Sequence, residues 1–233
     1  MIADSQNSRL TPEEYLQLEA DSDIKHEYID GKIYAMAGAT DTHVTIALNL
    51  AILLRSHLRD SDCRVYISDM KVRIETKNRC LDARSLAPDG DAVRQSVAEV
   101  PSVVGTVEPV RGSHRFFYPD VMVTCEPQDR ETNTYKQFPR LIIEVLSDST
   151  EAFDRGDKFA DYQSLSSLQE YVLINTRKAR IECFRRTEAG LWLLQFYELK
   201  DSQFALTSVD FTGQIAEVYE QVDFISESNS SEQ

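Results

Sequence analysis

Two stretches of the chain decide its fold: Tyr118-Pro119-Asp120-Val121-Met122-Val123 and Leu141-Ile142-Ile143-Glu144-Val145-Leu146. Both are mainly apolar, which is typical of strands buried inside a sheet. Each contains one acid, and an ionised carboxylate is costly in such a strand unless it is paired, hydrogen-bonded or bound to a metal. If the two strands pair, Asp120 and Glu144 can converge on a hard cation, for which oxygen ligands are suited.

Helical and strand patterns lie on both sides of these runs. Thr11-Pro12-Glu13-Glu14 predicts the start of a helix that continues to about Glu19, and Asp30-Gly31 predicts a hairpin turn between two short strands. A longer helix is expected from Asp41 or Thr42 to about Leu58. Its apolar stripe is predicted to contain Val44, Ala47, Leu48, Ala51, Leu54 and Leu58.

The remaining pattern predicts one domain over residues 11–225, between a frayed N-terminus at 1–10 and a disordered tail at 226–233. Period-two alternation predicts a strand over residues 64–74, and a helix is expected from Glu151 to about Ser164. Periodicity is absent from 76 to about 115, which we interpret as an insertion. Three further strands are expected over residues 170–175, 180–186 and 192–199.

Charge and hydropathy limit the classes of function. The chain has 25 Lys and Arg against 39 Asp and Glu, a net charge of −14, which disfavours nonspecific coating of nucleic acid. It does not exclude a nucleic-acid enzyme, because a carboxylate-rich metal site is negative before its cations bind. The longest apolar stretches are far shorter than the ~18 to 20 residues of a membrane span. The N-terminus has no signal-peptide pattern, so we expect a cytoplasmic protein.

Several familiar chemistries have no signature in the sequence. The four cysteines, at 63, 80, 125 and 183, form no CxxC pair, which argues against a structural zinc site. Cys125 and Cys183 lie in strand-like runs and are predicted to be small buried hydrophobic residues. No GxGxxG or Walker loop indicates nucleotide binding, and no GxSxG or HExxH indicates a serine hydrolase or a zinc protease.

A lysine follows the second acid on the predicted helix. Asp154, Lys158 and Tyr162 share one helical face, so Lys158 could point over the two acids. The alternative is a surface ion pair between Asp154 and Lys158, worth only ~0.3 to 0.5 kcal/mol. The residues alone leave both interpretations open.

At this point the sequence resembles the Uma-type family of predicted restriction endonucleases, within the PD-(D/E)xK nuclease superfamily. The resemblance covers roughly residues 11–200 and depends on the combination of motifs. The matching residues are Glu27-Tyr28-Ile29-Asp30-Gly31, His43, Tyr118-Pro119-Asp120-Val121, the run from Pro139 to Ser147, Asp157-Lys158 and Tyr162.

The resemblance implies an α/β fold of the restriction-endonuclease type, a mixed β-sheet flanked by helices. It implies that Asp120 and Glu144 bind Mg²⁺, for which Mn²⁺ can substitute, and that Lys158 orients or deprotonates the attacking water. One departure concerns the residue two positions after Glu144, where the superfamily motif has lysine and this chain has Leu146. Lys158 is the matching position for a lysine relocated to the helix.

Three more residues are candidates for the lining of the site, each with an alternative. Glu27 is either a third acid near the metal or a solvated strand-end residue beside Lys25. His43 lines the site or is simply a capped or packed histidine at the start of a helix. Tyr162 packs behind Lys158 or contacts a phosphate.

The leading functional hypothesis is a Mg²⁺-dependent endonuclease that hydrolyses DNA and acts as a homodimer, as the superfamily commonly does. The alternative is a catalytically degenerate binding or regulatory module, which the net charge and Leu146 favour. A third hypothesis is a metal-dependent enzyme that acts on a small phosphorylated or nucleotide substrate.

Overall fold

Two mixed β-sheets form the framework of the protein in a computed structural model, which describes residues 9–76 and 113–224. The strands are β1 His26–Ile29, β2 Lys32–Ala35, β3 Arg64–Ile67, β4 Lys71–Thr76, β5 Ser113–Phe117, β6 Val121–Thr124, β7 Tyr135–Lys136, β8 Pro139–Val145, β9 Glu170–Ile174, β10 Arg180–Arg186, β11 Trp192–Glu198, β12 Gln203–Leu206 and β13 Phe211–Gln214. The α-helices are α1 Pro12–Ala20, α2 Asp41–His57, α3 Glu151–Arg155, α4 Asp157–Tyr162 and α5 Ile215–Val218. Short 3₁₀ turns occur at Pro127–Arg130, Leu199–Asp201 and Thr207–Val209.

The larger sheet has the strand order β11-β10-β9-β8-β6-β3, and the smaller has the order β2-β1-β5-β4-β7. β12 and β13 form a separate hairpin. β8 and β9 are parallel neighbours joined through α3 and α4, whereas β6 runs antiparallel to β8. Helix α2 packs on one face of the larger sheet, and residues of α4 pack on the other. This arrangement confirms the expected α/β class, a mixed sheet flanked by helices.

Both N-terminal elements predicted from local signals are present. Thr11 caps α1 with a complete capping box, in which its hydroxyl accepts from the Glu14 amide and the Glu14 carboxylate accepts from the Thr11 amide. The hairpin turns at Asp30 and Gly31, whose φ angles are 48° and 96°. Two successive positive φ angles are the geometry that an Asp-Gly turn favours.

The predicted apolar stripe of α2 is partly wrong. The buried residues are Ile46, Ala47, Leu50 and Leu54, while Val44 and Leu48 are about half exposed. Thr40, rather than Asp41 or Thr42, is the N-cap. Apolar residues occur on almost every side of this helix, so the 3.6-residue period alone does not distinguish the packed face from its neighbour.

Three segments predicted as continuous are broken in two. Residues 64–74 form β3 and β4 in different sheets, because the chain turns at Ser68, where φ is positive. The run around Tyr118 and Pro119 separates β5 from β6, and proline has no amide hydrogen to donate to a ladder. The helix after Glu151 breaks at Gly156 into α3 and α4. The backbone is close-packed at this position, since a Cβ added to Gly156 would lie 3.0 Å from the Ala152 carbonyl oxygen.

Cys63 and Cys125 form a disulfide between the start of β3 and the end of β6. The prediction that Cys125 is a small buried hydrophobic residue is therefore wrong, because it is disulfide-bonded and only partly buried, whereas Cys183 is buried as predicted. The two cysteines meet because of the β3–β6 register, in which Arg64 is opposite Thr124. Their spacing in the sequence does not predict the disulfide.

The central part of the predicted insertion, residues 77–112, lies outside the described residues, as do the terminal segments 1–8 and 225–233. β5 begins at Ser113, so the predicted insertion extended a few residues too far. Among the described helices, none has both the length and the apolar character that crossing a membrane would require.

Candidate active site

The two acids predicted from the core strands lie at the same end of the larger sheet. Val121 of β6 is opposite Ile143 of β8, so the residues just before Val121 and just after Ile143 are neighbours across the ladder. Asp120 Oδ2 accepts a hydrogen bond of 2.7 Å from the backbone amide of Val145. The Asp120 carbonyl accepts another, of 3.2 Å, from the Ser68 amide. These backbone contacts fix Asp120 beside the strand that carries Glu144.

Lys158 reaches the same region from α4. Its Nζ lies 3.0 Å from Glu144 Oε1, 3.2 Å from Glu27 Oε1 and 3.4 Å from Asp154 Oδ1. All four side chains are at most 7% exposed. The alternative of a solvent-exposed Asp154–Lys158 pair is therefore wrong, and Glu27 is not a solvated strand-end residue.

Tyr162 belongs to this cluster through its hydroxyl, which donates a hydrogen bond of 3.1 Å to Glu144 Oε1. Burial, with a further contribution from the Glu144 charge, raises the pKa of this phenol well above its ordinary value. The hydroxyl therefore keeps its proton and remains a donor. In the described structure Tyr162 holds Glu144 from the helix side and is fully buried.

Three carboxyl groups surround one amino group in this cluster. Burial raises the pKa of Glu144 well above its ordinary range, an effect that the attraction of Lys158 opposes and that the repulsion of Asp154 reinforces. Burial alone would lower the pKa of Lys158, but the attraction of Glu144 and Glu27 outweighs it, so the pKa is raised. Lys158 is therefore charged.

His43 contacts the other acid. Its Nε2 lies 2.8 Å from Asp120 Oδ1, while its backbone amide donates to the Thr40 cap. Thr40 thus starts α2 at the position from which the imidazole reaches Asp120. The Nδ1 atom of His43 is buried and has no hydrogen-bond partner in the described part of the protein.

The chemistry of the ligand atoms decides whether these residues suit a divalent cation. The donors are carboxylate oxygens, which Mg²⁺ and Mn²⁺ prefer, and within the described residues the buried Asp154 Oδ1 has its 3.4 Å ion-pair contact with Lys158 but no hydrogen bond. No group of three or more His, Cys, Asp or Glu side chains in residues 9–76 and 113–224 is arranged to hold a metal ion. Mg²⁺ commonly binds through one or two carboxylates together with water and substrate phosphate, so Asp120 and Glu144 fit it.

The structure brings together Glu27, Glu144, Lys158 and Tyr162, and it places the Asp120–His43 pair at the adjacent strand end. Asp154 is the member that sequence reasoning did not include as a site residue. The sequence feature that points to Asp154 is its position four residues before Lys158, on the same helical face. Leu146, at the position of the motif lysine, is buried in the apolar core and donates its backbone amide to the Ile174 carbonyl.

The fold is of the restriction-endonuclease-like class. The structure is similar to the crystal structure of a "putative nuclease belonging to DUF820" from Anabaena variabilis, with a TM-score of 0.61, 14% sequence identity, and coverage of 90% of this chain and 97% of that one. At this identity the likeness establishes the fold.

The family follows from sequence. Residues 12–213 match the model of the Uma2 family, described as "putative restriction endonuclease", and the chain belongs to that family. Two Synechocystis proteins are similar along most of their length. The uncharacterised protein slr1290 is 34% identical over 94% of this chain and 97% of its own length. The uncharacterised protein sll1609 is 33% identical over 79% of this chain and 85% of its own length.

Proposed function

We propose that this protein is a divalent-metal-dependent endonuclease of the PD-(D/E)xK type that hydrolyses phosphodiester bonds in DNA. The observation that carries the proposal is the buried contact between Lys158 and Glu144, one strand away from Asp120. The family description and the nuclease named in the structural comparison support the same class of reaction.

Asp120 and Glu144 would hold Mg²⁺, or Mn²⁺ in its place. When bound, the metal lowers the pKa of a coordinated water and neutralises charge on the phosphate. His43 would orient the Asp120 carboxylate, as partners of metal ligands commonly do. Tyr162 would restrict the rotation of Glu144 by its hydrogen bond.

Lys158 is charged in this environment, which supports one of its two candidate roles. A protonated ammonium cannot accept a proton from water, so Lys158 would orient the water and stabilise negative charge that develops near the scissile phosphate. Glu27 and Asp154 would hold the ammonium in place from the sides away from Glu144.

Nicking of supercoiled plasmid DNA tests the proposal, with Mg²⁺, with Mn²⁺ and with chelator. We expect cleavage that requires metal, that is abolished in Asp120→Asn and Glu144→Gln, and that falls by about 10²- to 10³-fold in Lys158→Met. Glu188→Gln is a matched control, because this exposed acid lies in the β10–β11 turn. Full activity in the Asp120 and Glu144 variants would overturn the assignment.

The alternative, a nuclease fold that binds without cleaving, has one observation in its favour. Both carboxylate oxygens of Asp120 already have protein partners, Val145 and His43. Calorimetric titration with Mn²⁺ separates the two functions, because the enzyme must show saturable binding that is lost in Asp120→Asn. Absence of binding to the native protein would favour the module.

Two further expectations from the sequence remain proposals. We propose that the protein forms a homodimer, because the described six-stranded sheet leaves β3 and β11 as unpaired edges that a second copy could cover. We also propose a cytoplasmic location. Sedimentation equilibrium tests the first, and cell fractionation tests the second.

A further inference from the structure

A groove lined by arginines lies at the end of the larger sheet opposite the candidate active site. Asp120 precedes β6 and Cys125 follows it, so the two ends are separated by about 17 Å at the rise of a strand. The groove has a volume of about 420 Å³ and runs along β3, the edge strand. Four arginines line it, namely Arg55, Arg59, Arg64 and Arg130.

These arginines come from different elements and converge on one space. Arg55 is in the last turn of α2, Arg59 follows that helix, and Arg64 begins β3. Arg130 ends a 3₁₀ turn. Arginine near a helix C-terminus complements the helix dipole, which accounts for Arg55. The helix dipole does not account for Arg64 and Arg130, which lie away from the end of α2.

Residues 9–76 and 113–224 leave most of the positive charge in this groove without a neutralising partner. Within the described residues, Arg55, Arg59 and Arg64 have no carboxylate oxygen within the 4.0 Å of an ion pair. Arg130 Nη2 lies 3.1 Å from Asp62 Oδ1, but the Asp62 side chain is 93% exposed, so solvent screens this pair. For a chain of net charge −14 this is a local concentration of cations.

The groove is also fixed in shape. Cys63, which lines it between Asp62 and Arg64, is tied to Cys125 by the disulfide. Arg130 Nη2 donates to the Asp62 carbonyl at 2.9 Å, which joins the 3₁₀ turn to the segment before β3. A binding site held by covalent and hydrogen bonds loses less conformational freedom when a ligand binds.

We propose that this groove binds phosphate groups, at a site separate from the Asp120–Glu144–Lys158 cluster. Guanidinium groups present planar pairs of donors that match two oxygens of a phosphate. Arginine is therefore the residue that proteins commonly use to bind phosphate groups. The phosphates belong either to a small oligophosphate, for which the volume is suitable, or to a nucleic-acid backbone. The proposal does not depend on the nuclease activity.

The test is calorimetric titration with inorganic tripolyphosphate at low salt and without divalent metal. The paired substitution Arg59→Gln and Arg64→Gln should weaken binding at least about tenfold, because two charge-assisted contacts are lost. Arg140→Gln removes the same charge from an exposed residue of β8 outside the groove, and it should bind as the native protein does. Thermal melting of each variant verifies the fold.

A labelled twelve-nucleotide oligothymidylate, titrated in parallel, identifies the source of the phosphate. Binding of tripolyphosphate alone indicates a small phosphorylated ligand, and binding of the oligonucleotide that the double substitution removes indicates a nucleic-acid backbone. Either result supports the groove. Native affinity in the double variant, an equal loss in Arg140→Gln, or no binding of either probe overturns it. Because both titrations are made without divalent metal, they report binding and not cleavage, which separates this test from that of the nuclease.

Discussion

Lys158 Nζ and Glu144 Oε1 are 3.0 Å apart in the interior of the protein, although one residue is on α4 and the other on β8. Since Glu27 and Asp154 also contact the ammonium, the lysine compensates more negative charge than a single pair would carry. The strength of this coupling can be measured with a double-mutant cycle in urea.

Lys158→Met alone should lower the free energy of unfolding by about 3–5 kcal/mol, because it leaves buried carboxylates without a counter-charge. Glu144→Gln should cost less, since Lys158 keeps two partners. The double variant should be more stable than the sum predicts, by about 1–3 kcal/mol. The exposed pair Glu198–Lys200, also at 3.0 Å, is the control and should show no comparable coupling, because solvent screens both charges. Additive effects at 144 and 158 would contradict the coupling.

The His43 contact with Asp120 leads to a second prediction, which concerns metal affinity rather than stability. His43→Ala should weaken Mn²⁺ binding by about 10- to 100-fold, the usual effect of losing a partner that orients a metal ligand. His43→Gln, which can retain a donor toward Asp120 Oδ1, should recover part of the affinity. Calorimetry measures both. If His43→Ala binds Mn²⁺ as tightly as the native protein, the contact between His43 and Asp120 has only a structural role at the start of α2.

The sequence pattern predicts the central strands β6, β8, β9 and β10 and the two acids in or beside them, but it does not predict β7, β12 or β13. Asp120 and Glu144 stood out because a carboxylate in an apolar strand requires a reason, and both lie at one end of the described sheet. What the sequence could not provide was three-dimensional register. The breaks at Ser68 and Gly156 are backbone events at single residues, inside runs whose periodicity continues on both sides.

The same limit applies to Asp154 and to the disulfide. Asp154 was read correctly as a neighbour of Lys158, but burial, which decides whether such a pair is weak or strong, depends on strands far away in the chain. Cys63 and Cys125 are 62 residues apart, and they meet only because β3 pairs with β6. The buried face of α2 was ambiguous for a related reason, since the sheet selects it.

Asp161 leads to a prediction about pH. Burial raises the pKa of this carboxyl from 3.8 to about 6, and the attraction of Arg115, whose Nε is 2.6 Å from Oδ2, only partly offsets that effect. The folded state therefore holds a proton that the unfolded state releases. The free energy of unfolding should fall as the pH rises from about 4 to about 6.

Asp161→Asn should make this slope shallower by the contribution of Asp161, because an amide has no proton to lose in that range. Urea unfolding at several pH values measures the effect. Asp148→Asn serves as the matched control, since its side chain is 81% exposed and it should leave the slope unchanged. A slope of opposite sign in the native protein would mean that the Arg115 ion pair, and not burial, dominates.

The disulfide joins two strands that are distant in sequence, and closing a loop of this length constrains the unfolded chain. The paired substitution Cys63→Ser and Cys125→Ser should lower the free energy of unfolding by about 2–4 kcal/mol. Reductant should destabilise the native protein similarly and leave the double variant unaffected. Cys183→Ala is the control, because this cysteine is free and buried, so the variant should keep its sensitivity to reductant.

Disulfides are rare in reducing compartments, so alkylation of thiols in intact cells before lysis would also report on location. Labelling of Cys63 and Cys125 there would mean that the protein works in its reduced form, with the β3 edge held by hydrogen bonds and packing alone.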